Sequence, residues 1–313
     1  MPIHARWNVP LDSCSFQQYL FGPPDSPLPD KVAFYDADRP ETHFLTVQAF
    51  RLWSQRLAAG LQKAGLKPGD RVLLFSGNNL YFPLAFMGIV MAGGIFTGAN
   101  PSCVARELAY QLQNSDAKFL ICADASLELG IEAAESIGMG KDRVFLFDDQ
   151  LLDGTGTSRL GIENWAALIE TEEVGEKFRW YEPEDSKEAI CCLNYSSGTT
   201  GVPKGVMITH YNYVANATQF AFISQLAPDE PVKTKQAYVK HDKITPELTL
   251  PRRWLCYLPL YHAMGQAIFI AGGPKRGIPV YIMKKFDFIA LLENVQRFKI
   301  TTLTMVPPIV VVC

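Results

Sequence analysis

No C-x-x-C pair occurs among the seven cysteines of this 313-residue chain, and their number is odd. A disulfide framework and a zinc site are therefore both unsupported. Cys14, Cys103, Cys122, Cys191, Cys192, Cys256 and Cys313 lie mostly inside apolar runs, where a thiol behaves as a small hydrophobe. An excess of one charge sign is missing too. Lys and Arg total 29 against 32 Asp and Glu, a net charge of −3, which leaves no basic footprint for nucleic acid. The opening "MPIHARWNVP" lacks an apolar segment of signal-peptide length. An unbroken membrane-length run is also absent. "LYFPLAFMGIVMAGGIFTGA" is interrupted by Pro83 and by Gly93-Gly94, so a buried helix leading into a buried strand is expected, with no transmembrane segment. What remains is an intracellular globular chain, 48% hydrophobic, with room for two domains or one large one.

Short all-apolar runs alternate with helical patterns. Thr46 can cap a helix in which Phe50, Trp53, Leu57 and Leu61 recur at spacings of three and four. "RVLLF" (71–75), "KFLIC" (118–122), "RVFLF" (143–147), "AICCLNY", "WLCYL" and "PVYIM" are strand candidates. Helices are expected from Leu80 to Ala92, from Asn100 or Ser102 onward, from Ala125 to about Ile137, from about Tyr211 to Gln225, and from Phe286 to Phe298. Strands without a polar face, separated by helices, predict an α/β fold with parallel-rich sheets covered on both sides. "PDEPVKTKQAYVKHDKITPELTLPRR" has mixed charge and little periodicity, and is expected to be an exposed excursion. "ITTLTMVPP" is expected to resume the α/β pattern. The end, "VPPIVVVC", is apolar and uncapped, and reads as a chain cut inside a larger domain.

The chemistry concentrates in "LNYSSGTTGVPKGVMITH", Leu193 to His210. A Gly/Ser/Thr-rich turn after a buried strand exposes backbone N–H groups that bind phosphate oxygens. Ser196, Ser197, Thr199 and Thr200 add hydroxyls. Gly198 and Gly201 permit close approach, and Lys204 brings a cation. The run does not match G-x-x-x-x-G-K-[ST], and no G-x-G-x-x-G follows a strand. A polyphosphate ester remains the natural ligand; a surface linker has no need for "PKG" leading into an apolar strand.

"YSSGTTGVPKGV" resembles the phosphate-binding signature of the adenylate-forming superfamily: acyl- and aryl-CoA synthetases, firefly luciferase and peptide-synthetase adenylation domains. The resemblance extends to "FLTVQAFRLWSQRLAAGLQKAGLKPGDRVLLFSGN", "GANPSCVARELAYQLQNSDAKFLI", "LPLYHAMG", "VYIMKKFD" and "ITTLTMVPPIV". It is strongest toward 4-coumarate–CoA ligase-like acyl/aryl-CoA ligases. It implies two parallel-rich sheets flanked by helices, in an incomplete N-terminal domain covering 1–313 with no C-terminal domain. The phosphate loop would lie in a 71–225 subdomain, and 12–66 would pair with 253–313 in a second.

The resemblance implies ATP, Mg2+ and CoA as cofactors, a small carboxylic acid as substrate, and no residue of this chain as a metal ligand. Ser196, Ser197, Gly198, Thr199, Thr200, Gly201 and Lys204 would hold ATP phosphates, with Lys204 offsetting charge on leaving pyrophosphate. His262 would line the carboxylate site. Met264, where 4-coumarate ligases usually carry tyrosine, would face the acyl pocket and favour an apolar or other aryl acid. Lys285 would contact CoA. The implied compartment is cytoplasmic or peroxisomal. A peptide-synthetase domain is the enzymatic alternative, against which "YHAMG" argues. A non-catalytic binding module is the other, and self-association of the truncated chain is expected.

Overall fold

A computed structural model describes residues 8–154, 156–196, 202–223 and 251–312. Two sheets organise them. The larger has the order β7-β6-β5-β3-β4-β8-β9. Its strands are β3 (Arg71–Phe75), β4 (Ile95–Ala99), β5 (Ala117–Ala123), β6 (Val144–Phe147), β7 (Glu163–Asn164), β8 (Ile190–Ser196) and β9 (Lys204–Thr209). All neighbours run parallel except β8 and β9. The smaller sheet has the order β10-β11-β1-β2, formed by β1 (Val32–Asp36), β2 (Phe44–Thr46), β10 (Trp254–Cys256) and β11 (Val280–Ile282). Here β10, β11 and β1 are parallel, and β2 is antiparallel to β1.

Helices cover the larger sheet because its strands offer no polar face. Val72 to Phe75 and Phe96 to Ala99 are buried, so both sides need apolar cover. One side receives α3 (Phe82–Met91), whose ten residues are all buried. The α2 helix (Val47–Lys63) packs over α3. A Cβ at Gly88 would fall 2.7 Å from Leu57, so glycine is what lets the two helices approach. The Thr46 side chain caps α2 by accepting from Ala49 N at 3.0 Å, as its position predicts. Phe50, Leu57 and Leu61 are buried. Trp53 is only half-buried, because Arg56 stacks on its ring at 3.9 Å. The other side carries α4 (Ala105–Ser115) and α5 (Leu127–Ser136). Short α1 (Phe16–Phe21), α6 (Glu172–Lys177) and α7 (His210–Ile223) complete this half.

In the smaller half, α8 (Ala263–Gly265), a π-helical turn (Gln266–Gly272) and α9 (Gly273–Lys275) form one irregular helix. They are followed by α10 (Phe288–Phe298) and α11 (Pro307–Val312).

Two local expectations need correction, and a third lies outside the described residues. The helix after β4 starts at Ala105, because Asn100 spends its side chain on a turn, accepting from Ser102 N, while the Glu107 carboxylate accepts from Val104 N at 3.2 Å. "ITTLTMVPP" is not a strand. It makes one parallel bridge, Trp254 with Thr302, since the Thr301 hydroxyl accepts from Arg253 N and donates to Arg253 O. The polar excursion falls on residues 224–250, outside the described residues apart from its last positions.

Candidate functional site

The phosphate-loop candidate closes a β-hairpin. β8 and β9 pair in register so that Ser196 faces Lys204 at the hairpin's mouth. Ser197, Gly198, Thr199, Thr200 and Gly201 lie outside the described residues. Helix α4 braces the base: the Tyr110 hydroxyl donates to Pro203 O at 3.1 Å, and the Tyr195 hydroxyl donates to Asn114 Oδ1 at 2.6 Å. Gly205 leaves room for the Tyr195 ring, which a Cβ would approach to 3.1 Å. Lys204 is exposed and pairs with no carboxylate among the described residues, so its charge is available to a ligand.

His262 is carried to the same region by the segment that follows β10. Gly98, at the carboxyl end of β4, has no side chain, and Tyr261 lies against it: a Cβ there would sit 3.0 Å from Tyr261 Cβ. Gly265 allows the tight return, since its Cβ would fall 2.2 Å from Pro259 O. His262 is exposed and caps α8, its Nδ1 accepting from Met264 N at 3.3 Å. That bond requires an unprotonated Nδ1, so a neutral ring carries its hydrogen on Nε2.

Beside His262 lies a cavity of about 440 Å3 between α7 and residues 263–268. Ile208, Tyr213, Phe220, Met264, Ala267 and Ile268 supply an apolar wall; Asn212 and Asn216 supply polar groups. Met264 is 41% exposed into this open space. Met264, expected from the resemblance to face the acyl pocket, is part of this wall. Lys285 is elsewhere, exposed in the turn between β11 and α10, and does not line the cavity.

Two buried amides that no motif singles out hold these parts together. Asn78, just past β3, donates to Leu258 O at 3.0 Å and Met283 O at 3.2 Å, and accepts from Leu260 N at 2.8 Å. It thereby ties the larger sheet to both segments leaving the smaller one. Gln266, fully buried, accepts at Oε1 from Asn194 Nδ2 (3.0 Å) and from the Tyr213 hydroxyl (2.5 Å), and donates to Tyr261 O (3.1 Å). It joins the strand entering the phosphate hairpin to the cavity wall and to the residue before His262. Such π-turns recur at functional sites. Polar residues inside apolar runs, "FSGNNLYF" and "HAMGQAIFIAG", are the signal that could have exposed both. Magnesium finds no group of three His, Cys, Asp or Glu side chains to hold it among the described residues.

The two α/β sheets match the fold of solved adenylate-forming enzymes. A luciferase structure from Phrixothrix hirtus superposes with a TM-score of 0.75 at 23% identity, covering 96% of this chain and 66% of that one. The AMP-binding enzyme family model matches residues 26–313, and the chain belongs to that family. Phenylacetyl-CoA ligase epaB of Aspergillus niger is 33% identical over 281 residues, 90% of this chain and 47% of that protein. The 4-coumarate–CoA ligase 1 of Petroselinum crispum is 30% identical over 308 residues, 98% of this chain and 49% of that protein. The chain thus spans about half the length of the curated relatives it matches.

Proposed function

We propose that this chain is the N-terminal part of an ATP-dependent, AMP-forming acyl- or aryl-CoA ligase. The substrate carboxylate attacks the α-phosphorus of ATP, pyrophosphate leaves, and the CoA thiol then displaces AMP from the acyl-adenylate. The protein's work is to position reactants and balance phosphate charge. Relatives named as CoA ligases support this class over a peptide-synthetase domain. The observation that carries the site is Lys204, a cation facing Ser196 at the hairpin mouth with no carboxylate partner among the described residues. In this reading Lys204 and residues 196–201 hold the β- and γ-phosphates. His262 lines the carboxylate position, and the cavity that includes Met264 takes the acyl body. Its mostly apolar wall favours an aryl or alkyl acid. Lys285 contacts CoA. In this reading the strands of the two sheets fall to two subdomains, 71–225 and 12–66 with 253–313, although α1 and α2 of the 12–66 segment pack on the larger-sheet half. The exposed Val310 and Val311 make self-association of the 313-residue polypeptide the expected behaviour at high concentration.

The test is ATP–pyrophosphate exchange in the full-length product, driven by a panel of aryl and fatty acids. Lys204→Ala is expected to slow exchange by about tenfold or more, the loss of one charge-assisted phosphate contact, while acid binding changes little. Unchanged exchange would remove Lys204 from the mechanism.

A further inference from the structure

At the amino ends of β1, β10 and β11, the opposite ends of these strands from the segment carrying His262, the smaller sheet opens a second cavity, of about 460 Å3. Lys31, Arg252 and Arg276 line it together with Tyr35, and the remaining wall includes Val32 and Ile278. Among the described residues, no carboxylate lines it and none pairs with these three cations. Arg276 spreads over the rings of Trp254, at 5.1 Å, and Phe220, at 5.6 Å. Its Nη1 is buried and has no hydrogen-bond partner among the described residues. Burial pushes its guanidinium pKa down, and the charge of Arg252 pushes it further.

A buried guanidinium N–H without an acceptor is unfavourable, and so are like charges gathered without a counter-ion. One bound anion relieves both. The stacked rings hold the Arg276 fork in place, so little freedom is lost when a ligand docks. Three positive charges match a doubly charged tetrahedral oxyanion better than a single carboxylate, and arginine forks suit phosphate oxygens. The apolar wall leaves space for a compact organic body. We propose that this cavity is a second anion site, for a small phosphate-bearing molecule, separate from the hairpin that holds Lys204. Phe220 connects the two regions, because one ring lines the acyl cavity and also carries Arg276.

Calorimetry on the 313-residue chain tests this with inorganic phosphate, phenyl phosphate and acetate as probes. Phosphate is expected to bind with a component that Arg276→Gln and Arg252→Gln each weaken by about tenfold or more and that Lys204→Ala leaves intact. Arg276→Lys should fall between wild type and Arg276→Gln, because it keeps charge but loses the fork. Arg252 is exposed, so its variant decides the question should Arg276→Gln fail to fold. Tighter binding of phenyl phosphate than of inorganic phosphate would support an ester ligand that uses the apolar wall; equal binding would support free phosphate as the ligand. Three results would overturn the proposal: no phosphate binding, acetate binding as well as phosphate, or a component lost with Lys204 and kept in both arginine variants.

Discussion

The two sheets are held in different ways. The larger is built from strands of five to seven residues at its centre, with β3 pairing parallel to β4 and β5 along its length, apart from one register shift at Arg71, and buried on both faces. The smaller has three-residue strands at β2, β10 and β11. It shares an apolar core with its neighbour, and two buried amides, Asn78 from one side and Gln266 from the other, add polar clamps. A sheet with a long ladder and two apolar covers stands by itself. A sheet of short strands needs clamps, and here the clamps sit where hairpin, histidine segment and acyl cavity meet. The order of the candidate site therefore depends in part on these two amides.

The sharpest way to break this contrast is Asn78→Ala. It leaves Leu258 O, Met283 O and Leu260 N without their buried partner, at an expected cost of about 3–5 kcal/mol. Urea unfolding measures the total. Hydrogen exchange gives the discriminating result: amides of 254–256 and 280–282 should lose protection while those of 71–75 keep theirs. Equal loss in both sheets would mean the two are one cooperative unit. Gln266→Leu keeps the volume but strands Asn194, Tyr213 and Tyr261 O, for an expected loss of about 2–3 kcal/mol. Replacing Tyr213 by Phe as well should cost less than the sum of the single changes, since the two groups share one bond.

Acid should act on a third joint. His210 opens α7, is buried, and accepts from Phe16 N at 3.1 Å, anchoring α1. Burial pushes its pKa from 6.5 down to about 4. The unfolded chain therefore binds the proton first, and stability falls as pH drops below about 6.5 toward 4, being fully present above that window. At pH 5 the expected loss from this group is about 2 kcal/mol, from the pKa difference. His210→Gln should flatten the denaturant-midpoint profile between pH 4 and 6.5. An unchanged slope would place the acid sensitivity elsewhere.

Much of this architecture was legible before any coordinates, for a physical reason. "RVLLF" and "KFLIC" have no polar face, so only burial on both sides suits them, and they became β3 and most of β5. The hairpin strands around the phosphate loop and the capping role of Thr46 were equally readable, because their signals are local. Strand β2 and the antiparallel pairing of β9 were not foreseen, since a run such as "HFLT" carries no sign of its partner. Asn78, Gln266 and Gly98 were missed for a related reason. An amide's value lies in partners as far as 72 or 205 residues away, and Gly98 matters only because Tyr261 arrives beside it. Position in sequence says nothing about such meetings.

The smallest expected effect separates two adjacent lysines. Lys284 donates to Asp149 Oδ2 at 2.8 Å, joining the turn after β11 to the loop after β6. Partial burial opposes ionisation of Asp149, but Lys284 and Arg39 more than offset it and hold the carboxyl below its usual range. The Lys284 side chain is 47% exposed, so solvent screens the pair and Lys284→Ala should cost no more than about 0.5 kcal/mol. That loss should shrink further in high salt. Lys285 has no such contact among the described residues, and Lys285→Ala should leave stability unchanged. If it meets CoA, as proposed, its loss should appear in the KM for CoA alone, with pyrophosphate exchange untouched because that half-reaction needs no thiol. Lys284→Ala should show the reverse, a small stability change with an ordinary KM. A stability loss in Lys285→Ala equal to that in Lys284→Ala would make both lysines fastenings between the sheets and leave the thiol donor without a cation from this turn.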